Sequence, residues 1–207
     1  LGYNVQKLEW PDWISQLLPP GSLPRVLSPG QTLAVVSQKI ADQYGLSTDC
    51  QVCAGTTDAN AAFLATQSDH SGDAVTSLGS TLVLKILTDA YIEDLQCGIY
   101  SHRLGDRWLT GGASNAGARI LKNYFTKQQL VELSRQIDTQ HSLGLNYYPL
   151  LDVGERFPIF DPKKQPLISP RPSSDIQFLQ ALLEGLSEIE KTGYQKLAEL
   201  GAPFPKN

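Results

Sequence analysis

Residues 54–63 read AGTTDANAAF, and they place Asp58 where a short buried strand is predicted to turn directly into an alanine-rich helix. The strand is predicted over 50–55 and the helix over 59–66, with Asp58 or Thr57 as its N-cap. Ligands of α/β sheets bind in the crevice beyond the strand ends. The carboxylate of Asp58 is therefore expected to face such a crevice and to accept a proton there, although capping of the helix would by itself account for an aspartate at this position.

A glycine turn follows at 77–81, which read SLGST between strands predicted over 73–78 and 82–87. Gly79 lets backbone amides approach a phosphate, and the hydroxyls of Ser80 and Thr81 would donate alongside. The alternative is a plain hairpin turn, because serine, glycine and threonine are common in turns.

A second glycine-rich segment, 111–117, reads GGASNAG and precedes a helix predicted over 116–125. The amides at the start of that helix would receive an anion or a ribose oxygen, yet the segment is neither a Walker loop nor a dinucleotide fingerprint. On the residues alone, Asp58 and the two glycine segments indicate a phosphate or nucleotide site and nothing more specific.

The remaining elements are predicted from periodicity, turn residues and capping patterns. They are a helix over 31–44 that ends at Gly45, a hairpin of 99–103 with 108–110, a helix opened by the capping box 126–129 and running to Ile137, and a long helix from Ser174 to about Leu200. The irregular stretch 143–172 is too long for a loop that only connects two elements, so it is expected to be ordered and either functional or interfacial.

The composition argues against several classes of protein. A net charge of -4 without long like-charged blocks makes nucleic acid an unexpected partner. No membrane span is expected because the apolar stretches are strand-sized and interrupted, and no signal peptide is expected because the first residues form neither a basic nor an apolar region. Cysteines at 50, 53 and 97 favour a reducing compartment, the cytoplasm or an organelle stroma, and are predicted to be buried and structural. The three histidines are predicted to be solvated, and no residue is assigned to a metal.

The order of these segments resembles the C-terminal half of FGGY-family carbohydrate kinases. The resemblance rests on GTTDA at 55–59 followed by SLGST at 77–81, and it continues through GERFP at 154–158, Asp161-Pro162 and ALLEG at 181–185. It implies one ribonuclease H-like lobe of the actin-like ATPase superfamily, with a mixed sheet flanked by helices. The sequence of these motifs is most similar to that of kinases that act on D-ribulose, sometimes labelled xylulose kinase.

The resemblance also implies roles for individual residues. Asp58 would be the general base on a sugar hydroxyl and would contact the sugar, and ATP with Mg²⁺ would be the phosphoryl donor. The residues implied to bind the nucleotide are Gly79, Ser80, Thr81, Gly112 and Asn115. The alternatives are a kinase for D-xylulose or another polyol, and a non-catalytic actin-like module that keeps a nucleotide site.

Two departures from the family pattern lead us to expect a C-terminal fragment. No N-terminal lobe with its Asp-x-Gly-Thr motif precedes residue 1, and the glycine-rich adenosine loop is expected beyond residue 207, so the lobe would be truncated at its C-terminal end. We expect 1–30 to be an interdomain segment from the end of the N-terminal lobe, and 31–207 to be the incomplete C-terminal lobe. The missing N-terminal lobe would then be a partner, and the chain alone would be nearly inactive.

Overall fold

The computed structural model describes residues 2–206. The chain divides into two compact units, and the division falls between Gln67 and Ser68. The domain boundary predicted after residue 30 lies elsewhere in the chain. It separates the predicted interdomain segment from the predicted lobe, and it stays a prediction.

The first unit contains three short helices and a two-stranded antiparallel sheet. Its elements are α1 Asp12–Leu17, β1 Thr32–Val35, α2 Gln38–Tyr44, β2 Gln51–Cys53 and α3 Asp58–Leu64. The helix predicted over 31–44 is wrong in its first part, because 32–35 pair as a strand with 51–53. The helix itself begins after Ser37, whose side chain accepts the N–H of Ile40, and it ends as predicted at Gly45, which adopts the left-handed conformation.

The strand predicted over 50–55 is present as β2, but its residues are exposed rather than buried. Both strands of this ribbon are exposed along their full length. Cys53 is exposed, whereas Cys50 and Cys97 are half-buried, and all three are free thiols. The prediction of buried cysteines is therefore wrong for Cys53, since a two-stranded ribbon buries far less than a central strand.

The second unit contains a four-stranded sheet and three helices. Its elements are β3 Ala74–Leu78, β4 Leu82–Thr88, β5 Tyr100–Leu104, β6 Arg107–Ala113, α4 Arg119–Tyr124, α5 Lys127–Ser134 and α6 Asp175–Glu199. The strand order is β3-β4-β6-β5, and each pairing of these described strands is antiparallel. The predicted mixture with parallel pairs is therefore not observed, because 79–81 and 105–106 are connections too short for a parallel crossover.

Helix α6 supplies the apolar face that covers the sheet. Leu186, Ile189 and Leu197 pack in one cluster with Leu84 and Ile86 of β4. A second cluster lies around the first turns of α6 and includes the following residues: Ile120, Leu121, Phe125, Tyr147, Phe178, Leu179 and Leu182. These two clusters fix α6 along the sheet and hold α4 beside its beginning.

Two helices are shorter than predicted. Helix α4 begins at Arg119 rather than at residue 116, and α5 ends at Ser134 rather than Ile137, although the capping box of Thr126 with Gln129 is present. The irregular stretch 143–172 is ordered by antiparallel bridges that pair Tyr148 with Leu167 and Glu155 with Asp161.

The histidines differ in burial. His70 and His141 are exposed as predicted, but His102 lies on β5 and is partly buried. Burial, and next the charge of Lys85, lowers the pKa of His102. None of the helices in the described part of the chain has both the length and the apolar composition for crossing a bilayer.

Candidate functional site

Asp58 is the first residue of α3 and is exposed. Its Oδ1 accepts the N–H of Ala59 at 2.7 Å, while Thr57 occupies the N-cap position without a side-chain cap hydrogen bond. The aspartate is thus an acid in the first turn rather than the N-cap, and its charge is favoured by the helix dipole. An exposed carboxylate held at a helix start is accessible to a ligand.

The buried face of α3 fixes the direction in which Asp58 points. Asn60 is 6% exposed and Phe63 is 1% exposed, although Asp58 on the same helix is open to solvent. The side-chain amide of Asn60 donates to Thr56 Oγ1 at 3.5 Å, and this contact connects the helix to the segment before it. The strand-to-helix turn predicted from the sequence is therefore confirmed around Asp58.

The second predicted segment is the turn 79–81 between β3 and β4. Gly79 and Ser80 are exposed and Thr81 is half-buried. A Cβ added at Gly79 would meet Thr81 O at 3.7 Å, which is an ordinary contact. Packing within the unit therefore does not require glycine at this position.

Residues 114–118 lie directly against this turn. The N–H of Ala118 donates to Gly79 O at 2.8 Å, and the N–H of Leu82 donates to Ala116 O at 2.7 Å. A Cβ added at Gly117 would lie 2.5 Å from both Ser80 O and Thr81 Cα, so the two backbones touch where Gly117 has no side chain. The two glycine segments singled out from the sequence are brought together by the fold.

Gly111 and Gly112 lie elsewhere than predicted. They belong to β6, where Gly112 pairs with Leu84, and they do not form the entrance of a helix. A Cβ at Gly112 would overlap the ring of Phe157, and that ring is fully buried. Gly112 thus makes room for Phe157 in the core, a long-range requirement that the local sequence does not reveal.

Asn115 lies in the loop after β6 and is exposed. Its backbone N–H donates to Glu155 Oε1 at 2.8 Å, and its side-chain amide donates to Gly154 O at 3.0 Å. The predicted nucleotide-binding side chain is therefore next to the glycine turn but also braces the 154–155 backbone.

Glu155 is a buried acid that sequence reasoning did not single out. It is 2% exposed, and Ser114 Oγ and Tyr148 Oη both donate to its carboxylate, at 2.6 and 2.9 Å. Burial, and next the charge of Glu155, raises the pKa of Tyr148 well above its usual range, so the phenol stays a donor. The only sequence signal was an acid inside the GERFP segment, between Gly154 and an apolar stretch.

Asp69, His70 and Asp73 form a group whose ligand atoms lie within 4.8 Å of one another. Asp73 Oδ2 accepts the backbone N–H groups of Asp69 and His70, each at 3.0 Å. These two hydrogen bonds explain why the three side chains lie together. Asp73 closes a turn, which is a common local structure.

No family model matches the sequence. The chain is similar in structure to a xyloylose kinase from Brucella ovis, with a TM-score of 0.81 and 23% identity over 96% of this chain and 43% of that one. It is also similar to a gluconate kinase from Lactobacillus acidophilus, with a TM-score of 0.78 and 16% identity over 98% and 44% of the two chains. The fold is that of a carbohydrate-kinase lobe.

A ligand-bound xylulose kinase from Lactobacillus acidophilus gives a TM-score of 0.76 at 17% identity, over 95% of this chain and 42% of that one. The chain thus spans less than half the length of these solved structures. The predicted fold class, an α/β lobe with a sheet flanked by helices, is confirmed.

Proposed function

We propose that the protein transfers a phosphoryl group from ATP to a sugar hydroxyl, and that this chain provides part of the C-terminal half of the enzyme. The observation that carries the proposal is the likeness to solved sugar kinases, which extends over 96% of the chain in the Brucella ovis structure and includes both compact units. The exposed carboxylate of Asp58 at the strand-to-helix turn supports it, because such a transfer needs a base at the acceptor hydroxyl.

Asp58 is proposed as the general base and as a contact to the sugar. As the sugar oxygen attacks the γ-phosphorus, its proton passes to the Asp58 carboxylate, the bond from that phosphorus to the bridging oxygen breaks, and ADP leaves with the electron pair. The side chain is exposed and belongs to a helix whose opposite face is buried, so it can approach a bound hydroxyl without rearranging the unit.

The exposed turn 79–81 is proposed to hold the donor phosphates. Its hydroxyls on Ser80 and Thr81 are donors, and the glycine leaves the backbone open to a phosphate. Asn115 is proposed to contact the nucleotide from the adjacent loop, and Gly112 to support that loop by admitting Phe157 beneath it. Mg²⁺ is proposed as the accompanying metal, held mainly by ATP phosphates and water, as this ion usually is.

The proposed acceptor is a pentulose such as D-ribulose, with D-xylulose or another polyol as the second candidate. The three free cysteines support a reducing compartment, the cytoplasm or an organelle stroma.

The test is sugar-dependent ADP formation by the protein at its full natural length, with D-ribulose, D-xylulose, L-ribulose, gluconate and glycerol as acceptors. We expect one pentulose to give a kcat/KM at least about tenfold above the others, since a site built to bind specific hydroxyls discriminates strongly. ATP turnover that no sugar increases would contradict the proposal and favour a non-catalytic nucleotide-binding module.

Gly79→Ala separates a ligand-binding role of the turn from a packing role. Because the added Cβ makes only an ordinary contact with Thr81 O, we expect the melting temperature to stay within about 1 °C, an effect typical of surface substitutions. We expect the KM for ATP to rise about tenfold, because the methyl group occupies the space through which a phosphate reaches the backbone amides. An unchanged ATP KM, measured in the same ADP assay, would show that the turn does not hold the phosphates.

A further inference from the structure

The turn 79–81 is held from outside as well as by its own hydrogen bonding. Within it, the N–H of Gly79 donates to Thr81 O at 3.1 Å. Around it, the segment 114–118 supplies the partners: Ser114 N–H donates to Leu82 O at 2.9 Å, and the other two backbone bonds join Ala116 with Leu82 and Ala118 with Gly79. The conformation of the turn therefore depends on where 114–118 is placed.

Glu155 holds the beginning of that segment. Its Oε2 accepts the hydroxyl of Ser114 at 2.6 Å, and its Oε1 accepts the N–H of Asn115 at 2.8 Å. The same carboxylate also accepts the N–H of Arg156 and the hydroxyl of Tyr148, both at 2.9 Å. One buried acid thus joins the 148–156 region to the segment that contacts the turn.

We propose that Glu155 is a positioning residue for the turn 79–81, and that it fixes the turn in the conformation that receives the ATP phosphates. The proposal rests on the proposed function for its link to ATP. Its geometric part rests on two successive sets of hydrogen bonds, from Glu155 to 114–115 and from 114–118 to 79–82.

The chemistry of the site favours a carboxylate over an amide. Oε2 of Glu155 accepts from two hydroxyls at 2.6 and 2.9 Å, and Oε1 accepts from three backbone N–H groups at 2.8, 2.9 and 3.4 Å. Hydrogen bonds to an ionised acceptor are the stronger class. A glutamine has one oxygen only, so its NH₂ group must face either the three backbone N–H donors or the two hydroxyls of Ser114 and Tyr148. The two hydroxyls can rotate to accept from that NH₂ group, but both contacts then lose the charged acceptor and become weaker.

Glu155→Gln and Ser114→Ala test the proposal, with hydrogen–deuterium exchange in peptides covering 77–84 as the first measurement. We expect exchange there to be about tenfold faster in both variants, since each weakens a bond to a charged group, while the hairpin 100–110 keeps its rate. In the ADP assay, we expect the KM for ATP to rise by a similar factor with the KM for the sugar unchanged. Ser114→Ala decides the question if Glu155→Gln does not fold.

Glu184→Gln is the matched control. Glu184 accepts bonds from a similar set of donors, the hydroxyl of Ser142, the N–H of Leu143 and the side-chain amide of Gln180, but none of these belongs to 79–82 or 114–118. We expect its loss of charge to change neither exchange in 77–84 nor the KM for ATP.

Three outcomes distinguish the claims. Equal exchange in 77–84 for wild type and both variants overturns the proposal, and so does faster exchange with an unchanged KM for ATP, because the acid would then only stabilise the fold. A wild-type protein without sugar-dependent turnover overturns the proposed function and with it the link to ATP, whereas the exchange data still decide whether Glu155 holds the turn.

Discussion

Asp58→Asn is expected to lower the kcat for sugar phosphorylation about 10²–10⁴-fold, the usual contribution of a positioned general base. The amide keeps the size of the side chain and an oxygen that can accept the N–H of Ala59, which Oδ1 accepts at 2.7 Å in the wild type. It cannot take up the proton of the sugar hydroxyl. The KM for ATP is expected to change little, because the proposed phosphate contacts lie in 79–81. Steady-state ADP formation at saturating sugar gives the comparison.

Asp49→Asn is the matched control for Asp58→Asn. Asp49 is also an exposed aspartate of the first unit, and its backbone N–H donates to Ser47 Oγ at 3.2 Å, so the substitution removes the same charge outside the proposed site. We expect full activity in this variant. The loss of an acid in the first turn of α3 costs only about 0.3–1 kcal/mol, so a melting curve excludes unfolding as the cause of inactivity. If Asp58→Asn and Asp49→Asn retain equal kcat values, Asp58 is not the base.

The elements predicted correctly are those whose signals are local. The hairpin of β5 and β6 turns at Gly105-Asp106, and Ser174 caps the long helix by accepting the N–H of Gln177. Both features depend on residues that are close to one another in the chain, so the local sequence pattern predicts them. The same holds for the end of α2 at Gly45.

The errors arise where distant residues decide the structure. Leu33 and Val36 have helical spacing with Ile40, yet 32–35 form a strand because 51–53 are available as a partner. Gly111 and Gly112 are predicted to belong to the entrance of a helix, but they lie in β6 where Gly112 admits the Phe157 ring. Neither partner can be located from the local pattern.

The same distinction applies to the candidate site. Asp58 and the turn 79–81 stand out in the sequence because each combines a chemical group with a strand end or a turn. Glu155 was not singled out because its partners Ser114 and Asn115 are about forty positions away in the chain, and an isolated acid has no periodicity or spacing to mark it. Long-range hydrogen bonds of this kind become visible only in the folded chain.

Gly117→Ala is expected to have the largest effect on stability. The new Cβ would lie 2.5 Å from Ser80 O and from Thr81 Cα, and both belong to the backbone, so the turn or the segment 114–118 must move. Overpacking of this kind costs about 1–3 kcal/mol, which corresponds to a melting temperature lower by about 2–4 °C for each kcal/mol in a chain of this size. Because the displaced backbone is the proposed phosphate turn, the KM for ATP is expected to rise as well.

Gly55→Ala is the control for the added methyl group, and its readout is stability alone. A Cβ at Gly55 meets no atom within 4 Å, so we expect a change of at most about 1 kcal/mol, and a stabilising sign from the lower entropy of the unfolded chain. Melting curves of the two variants, compared with wild type, isolate the contact between Gly117 and the turn. If both alanines shift the melting temperature equally, the close approach of 117 to 80–81 does not limit stability, and the backbone contact would not be what fixes the turn.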